Sequence, residues 1–326
     1  MVSIVLMVAA VGWRVSAIME AGQHTELPPP VLEPCQVERE TLVRGTPRGS
    51  FPRLEEVRTF DREEAEAIKI GRHGKFLITG DPVIGVALGD EACAYPIRFL
   101  EWHEVVHHEL GGVPLAICWS PLSGSAGVFD RRVGKDTLTF VPSGWLSDSE
   151  SLLLDEARNL WSSLLGKAIT GPPSQAGHTL TRIPYEVMRW EDWQSLHPTT
   201  RVLSHDAKRM KLYKRAPYRN YQGSLKLRFP AEPLPAKRDD LPYKASVLAV
   251  RAGGVWRVYP IRWLLERATE GVLKLEQEGK ALTFYAWRNA KELSPTARVV
   301  GADSALHTYW FAWHAARPQD ATLGLE

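Results

Sequence analysis

The residue pattern with the most direct chemical meaning is His103-Glu104-Val105-Val106-His107. On a helix, imidazoles four positions apart share one face, where they can hold a zinc ion while the intervening glutamate activates a metal-bound water. That chemistry needs a helix over Ile97 to Leu110, with His103 and His107 as metal ligands and Glu104 as the catalytic acid/base. A third ligand would come from Glu109, His178 or His197, and zinc is the one cofactor the sequence points to. The competing expectation is a histidine satisfied inside the fold, because Gly111-Gly112 ends the segment with no third-ligand motif.

Other reactive groups are weaker. Ser123-Gly124-Ser125-Ala126 offers hydroxyls but is not a G-x-S-x-G elbow, and Gly124 reads as a turn residue. Asp130-Arg131 is either a charge pair lining a pocket or an ordinary hairpin salt bridge. Cys35, Cys93 and Cys118 lie far apart with no C-x-x-C spacing, so they form neither a zinc knuckle nor a disulfide framework. Cys93 and Cys118 sit in apolar, strand-like runs, where a thiol behaves as a small buried hydrophobe. A pocket lined by His103, Glu104, Ser120, Ser123, Asp130 and Arg131 is the expected site of any surviving chemistry.

The elements that must position these groups are legible in outline. The chain of 326 residues carries a net charge of +2 with 24% charged residues, so overall charge gives no argument for nucleic acid. Twelve tryptophans point to a large packed core. The nearly uninterrupted apolar run Val2 to Trp13, followed by the small residues of Val15-Ser16-Ala17, reads as a signal peptide or membrane anchor over residues 1–22. Residues 23–57, with Pro28-Pro29-Pro30, read as a stiff spacer, and Arg58 to Ile70 as a short surface helix.

From Val83 an internal repeat emerges. Val83-Ile84-Gly85-Val86 followed by Tyr95-Pro96-Ile97-Arg98 returns without a gap as Val247-Leu248-Ala249-Val250 followed by Tyr259-Pro260-Ile261-Arg262. Trp190, Trp193 and Pro198 return as Trp310, Trp313 and Pro318, and Leu138-Thr139-Phe140 aligns with Leu282-Thr283-Phe284. Each Y-P-I-R should follow a hairpin and lead into a helix, with its tyrosine buried and the hydroxyl paired. The expected fold is α+β and β-rich, with two unequal copies of a hairpin-plus-helix unit packed as one globular body. The first unit spans residues 58–203, a basic connection 204–244, and a shortened second unit 245–326. The connection is rich in Lys and Arg, and Tyr213, Tyr218 and Tyr221 should pack it against the fold rather than serve nucleic acid.

Taken in order, Asp81-Pro82-Val83-Ile84-Gly85-Val86, Ala94-Tyr95-Pro96-Ile97-Arg98, Trp102-His103-Glu104-Val105-Val106, Gly111-Gly112-Val113-Pro114, Val128-Phe129-Asp130-Arg131, Ser143-Gly144, Leu160-Trp161, Gly171-Pro172 and Arg215-Ala216-Pro217-Tyr218-Arg219-Asn220-Tyr221 resemble the family designated domain of unknown function 3179. The resemblance runs from about Asp81 to the end of the chain. It implies an exported bacterial protein and a C-P-L-C-type motif, with selenocysteine in some members, suggesting thiol or metal redox chemistry. Here the matching segment is Ser120-Pro121-Leu122-Ser123, with serine at both thiol positions. A hydroxyl is too weak an acid to replace a thiolate as nucleophile or soft metal ligand, so the chain reads as a diverged member without that chemistry. Two functions follow as expectations: an extracytoplasmic binding or assembly protein, with a membrane-associated complex as its kind of partner, and, as the alternative, a zinc-dependent hydrolase.

Overall fold

The computed structural model of the protein describes residues 28–46, 51–52, 54, 57–69, 77–204, 210–287 and 296–325. The signal or anchor segment 1–22, and part of the spacer that follows it, lie outside the described residues. Among the described residues, no helix is long and apolar enough to cross a membrane.

β-Branched residues, a two-residue turn and a proline build the first hairpin. Strand β1 (Pro82–Leu88) turns at Gly89, which has a φ of 58° that favours glycine, into β2 (Glu91–Pro96). Pro96 is extended at φ −62° and ψ 124°, which ends the strand and sets the next residues in helix α1 (Ile97–His103). Strands β3 (Val105–Leu110), β4 (Val113–Ser120) and β5 (Ser125–Asp130) follow as an antiparallel meander.

An excursion then adds β6 (Val141–Ser147), β7 (Glu150–Leu154) and β8 (Leu160–Ser162), which pair with one another and with Leu42–Arg44 and Lys167–Ala168. β9 (Thr181–Arg182) returns to the edge of β5, and β10 (Glu186–Arg189) pairs with β1 before leading into α2 (Trp190–Leu196).

The C-terminal half has β11 (Ser246–Ala252), β12 (Val255–Pro260) and α3 (Ile261–Arg267), then a second meander of β13 (Val272–Gln277), β14 (Lys280–Trp287) and β15 (Thr296–Val300). β16 (Ser304–Tyr309) pairs back onto β11 and continues as α4 (Trp310–Ala316). The architecture is α+β and β-rich, distributed over several small sheets.

Each Tyr-Pro-Ile-Arg motif ends a hairpin and opens a helix. Ile84 pairs with Tyr95 across the first hairpin, and Leu248 with Tyr259 across the second. Both tyrosines are buried and tie their hairpin to the next meander: Tyr95 Oη is 2.7 Å from His108 Nδ1, and Tyr259 Oη donates to Gln277 Oε1 at 2.9 Å. Trp193 Nε1 donates to Thr200 Oγ1 at 2.8 Å, and Trp313 Nε1 to the Asp320 carbonyl at 3.0 Å. In the N-terminal half Trp193 lies so close to Gly85 that a Cβ there would be 2.3 Å from the indole. Ala249 occupies the matching position in the other half.

Two sequence expectations are corrected. Ile97 to Leu110 is not one helix, because α1 stops after His103, Glu104 turns the backbone at φ 56°, and the β-branched Val105-Val106 pair with Cys118 and Ile117 of β4. Leu138-Thr139-Phe140 does not match Leu282-Thr283-Phe284 in structure: the former lies outside any strand, whereas the latter is inside β14.

Candidate functional site

The turn Pro121–Gly124 between β4 and β5 brings buried hydroxyls together. Ser120 closes β4 and Ser125 opens β5, so the register places them opposite one another. Ser123, inside the turn, donates to Ser120 Oγ at 2.8 Å, and its Oγ is 2.7 Å from Ser125 Oγ. Ser120 Oγ also accepts from the Ser151 amide at 2.9 Å, and Ser151 Oγ donates to Glu104 Oε1 at 3.0 Å. The three turn serines and Glu104 are all buried. Gly124 adopts φ 59°, and a side chain there would also collide with the Tyr309 ring of the C-terminal half.

Glu104 is the unusual member. Its backbone amide closes α1 by donating to the Leu100 carbonyl at 2.7 Å, while its carbonyl accepts from the Trp119 amide at 2.8 Å. These bonds hold a non-glycine residue at positive φ and direct its carboxyl inward; such a conformation typically costs about 1–3 kcal/mol. Ala268, at the matching helix end of the other half, is extended at φ −67°. Burial pushes the Glu104 carboxyl up to about 8, opposed by the Ser151 hydrogen bond. Burial likewise pushes Glu101 up to about 7, against the opposing bond from Gln222 Nε2 at 2.9 Å. Glu150 is also pushed up to about 7 by burial, although it accepts from Ser162, Ser163 and the Leu164 amide. At neutral pH Glu104 is therefore a neutral acid, suited to holding a hydrogen bond rather than abstracting a proton.

His103 and His107 lie on different elements. His103, at the end of α1, is 2.7 Å from the Pro52 carbonyl through Nδ1 and 2.7 Å from Tyr213 Oη through Nε2. A carbonyl can only accept, so Nδ1 carries a proton and donates to it. His107 lies on β3 and accepts from the Phe140 amide at 3.1 Å. With the helix ended between them they share no helix face, and no group of three or more potential ligands forms among the described residues.

Asp130 and Arg131 are also apart from the serines, at the far end of β5. Asp130 forms its ion pair with Arg132 at 2.6 Å and not with Arg131, whose Nη1 donates to the Leu138 carbonyl at 2.7 Å. Cys93 and Cys118 are buried free thiols, pushed up by burial, Cys93 to about 12. Of the expected pocket residues, the fold therefore unites Glu104, Ser120 and Ser123.

The connection covers this cluster. Tyr213, Tyr218 and Tyr221 are buried, Tyr221 Oη donates to the Leu122 carbonyl at 2.7 Å, and the Lys244 ammonium lies 3.9 Å above the Tyr221 ring. From the other side, the Tyr309 amide donates to the Ser123 carbonyl at 2.8 Å. Every serine in the cluster is satisfied and enclosed.

Open space lies next to it. A cleft of about 520 Å³ runs between β9 and β10 on one side and β15 and β16 on the other, with Trp193 and His197 of α2 and its flank lining one end. Tyr185 donates to the Ala126 carbonyl at 2.6 Å and His307 Nδ1 is 3.3 Å from the Gly124 carbonyl, so the cleft wall is bonded directly to the serine turn. Burial pulls His307 down to about 4 and leaves it neutral at pH 7. Sequence reasoning missed the cleft because its walls are more than a hundred residues apart in the chain.

Fold and site together define a β-rich α+β protein with an enclosed serine and carboxyl cluster beside an open cleft. The chain matches the family model described as Protein of unknown function (DUF3179) over residues 49–308, and it belongs to that family. No curated protein and no solved structure matches it.

Proposed function

We propose that this chain is an extracytoplasmic binding protein: two unequal copies of a hairpin-plus-helix unit pack together, and a small ligand occupies the cleft between them. The observation that carries this reading is the contrast between the two central features. The serines at the family's thiol positions are buried and bonded to one another, whereas the neighbouring cleft is of a size typical for small-molecule sites. The matched registers of the two hairpins and the paired Trp193 and Trp313 support the duplication. The apolar run Val2 to Trp13 supports export.

A thermal-shift screen of small polar and apolar metabolites tests the binding reading. Ligands that raise the melting temperature of the full chain should lose that effect in Ala305→Trp, which fills the cleft from β16. Ligands that stabilise both proteins equally would place binding elsewhere and overturn the reading. Recovery of the protein, Met1 included, only in the cytosolic fraction of its natural host would overturn the export half.

A further inference from the structure

We infer that the cleft selects an anionic ligand, a small monocarboxylate with an apolar body, captured by Arg182 and Arg298. This inference rests on the binding reading above and names its ligand class. Arg182 lines the cleft from β9, its guanidinium 4.9 Å above the Phe129 ring, and it donates to the Leu164 carbonyl. Its Nη1 is buried without a hydrogen-bond partner. Arg298 lines the opposite wall from β15, with its guanidinium 4.6 Å above the Tyr285 ring. It shares Glu186 across the cleft at 3.1 Å, leaving its Nε and Glu186 Oε2 buried and unpartnered.

The charges in and beside the cleft do not cancel. Arg298 is matched by Glu186, and Asp303 by Lys280. Among the described residues Arg182 forms no ion pair: Glu150, the acid whose charge acts on it, is pushed up to about 7 by burial and bonded to Ser162, Ser163 and the Leu164 amide, and Arg317 is matched by Asp320 at 3.1 Å. A partly buried guanidinium that forms no ion pair gains from an added anion, and its planar fork is the shape best suited to a carboxylate. His197 and His307 are both pulled down by burial, so they present neutral imidazoles and add no competing charge. The remaining wall includes Ile183, Val187, Leu248, Val299 and Leu306, which suits a short hydrocarbon body rather than a bare inorganic anion.

Isothermal titration calorimetry of the full chain with octanoate, octanamide and inorganic phosphate tests this. Octanoate should bind, octanamide at least tenfold more weakly, and phosphate should not compete. Arg182→Gln should weaken octanoate at least tenfold while leaving octanamide unchanged, and Ala305→Trp should abolish both. If Arg182→Gln does not fold, Arg182→Lys and Arg298→Gln carry the same comparison. Equal binding of octanoate and octanamide, each lost in Ala305→Trp, would overturn the anion assignment and leave the binding cleft standing. Binding of neither overturns the assignment, and the wider screen described above then decides the cleft independently.

Discussion

Replacing Glu104 with glutamine isolates the cost of holding an ionisable group in the serine cluster. The carboxamide keeps the shape and can still accept from Ser151, but it has no proton to lose. Below about pH 4.5 the native carboxyl is protonated in folded and unfolded chains alike, so it makes stability independent of pH. Between 4.5 and about 8 the unfolded chain releases the proton and the folded chain retains it. Stability then falls as pH rises, by about 1.4 kcal/mol per pH unit, until the folded carboxyl itself ionises.

From pH 5 to pH 7.5 this one group removes about 3 kcal/mol from the wild type and nothing from Glu104→Gln. Glu101 and Glu150, each pushed up to about 7, keep a residual slope of the same sign in both proteins. Urea denaturation at pH 5, 6, 7 and 7.5 measures the difference directly. The variant should gain on the wild type by about 3 kcal/mol across that range. Parallel pH profiles would show that Glu104 is ionised in the native fold and refute the buried-acid argument.

The 2.8 Å separation of Ser120 Oγ and Ser123 Oγ is compatible with a disulfide, so Ser120→Cys/Ser123→Cys refolded under oxidised glutathione should lose two hydrogens by intact mass while the three native thiols stay reduced. Persistent free thiols at both new positions would contradict the turn geometry. Gly85→Ala should destabilise by about 1–3 kcal/mol through the clash with Trp193, measured by chemical denaturation, and an effect near zero would mean that the indole is not packed there. His103→Ala removes the bonds to the Tyr213 hydroxyl and the Pro52 carbonyl and should cost about 1–3 kcal/mol, with zinc leaving the melting temperature of wild type and variant alike unchanged. A zinc-dependent stabilisation present in the wild type and lost in His103→Ala would restore the metal reading.

What the sequence determined by itself is local. Continuous apolar runs rich in β-branched residues, a positive-φ glycine and the extended Tyr-Pro preceding Ile-Arg specify each hairpin and the start of each helix, because these preferences act over a few residues. Gly124 as a turn residue and the three tyrosines of the connection were legible for the same reason. The H-E-x-x-H spacing was legible too, but its meaning depended on where α1 ended. Pairing of Val105 and Val106 with β4 outweighed continuation of the helix, since β-branched residues beside a ready sheet edge gain more from the ladder than from another helical turn. That pairing separated His103 from His107 and left Glu104 at a strained corner. Glu104 meets Ser151 47 residues away, Ser123 meets Thr308 and Tyr309 in the other half, and Glu186 meets Arg298 across the cleft. Such juxtapositions come from the packing of sheets formed by distant segments, and no local periodicity encodes them, so the enclosed serine cluster and the open cleft beside it were decided only by the tertiary structure.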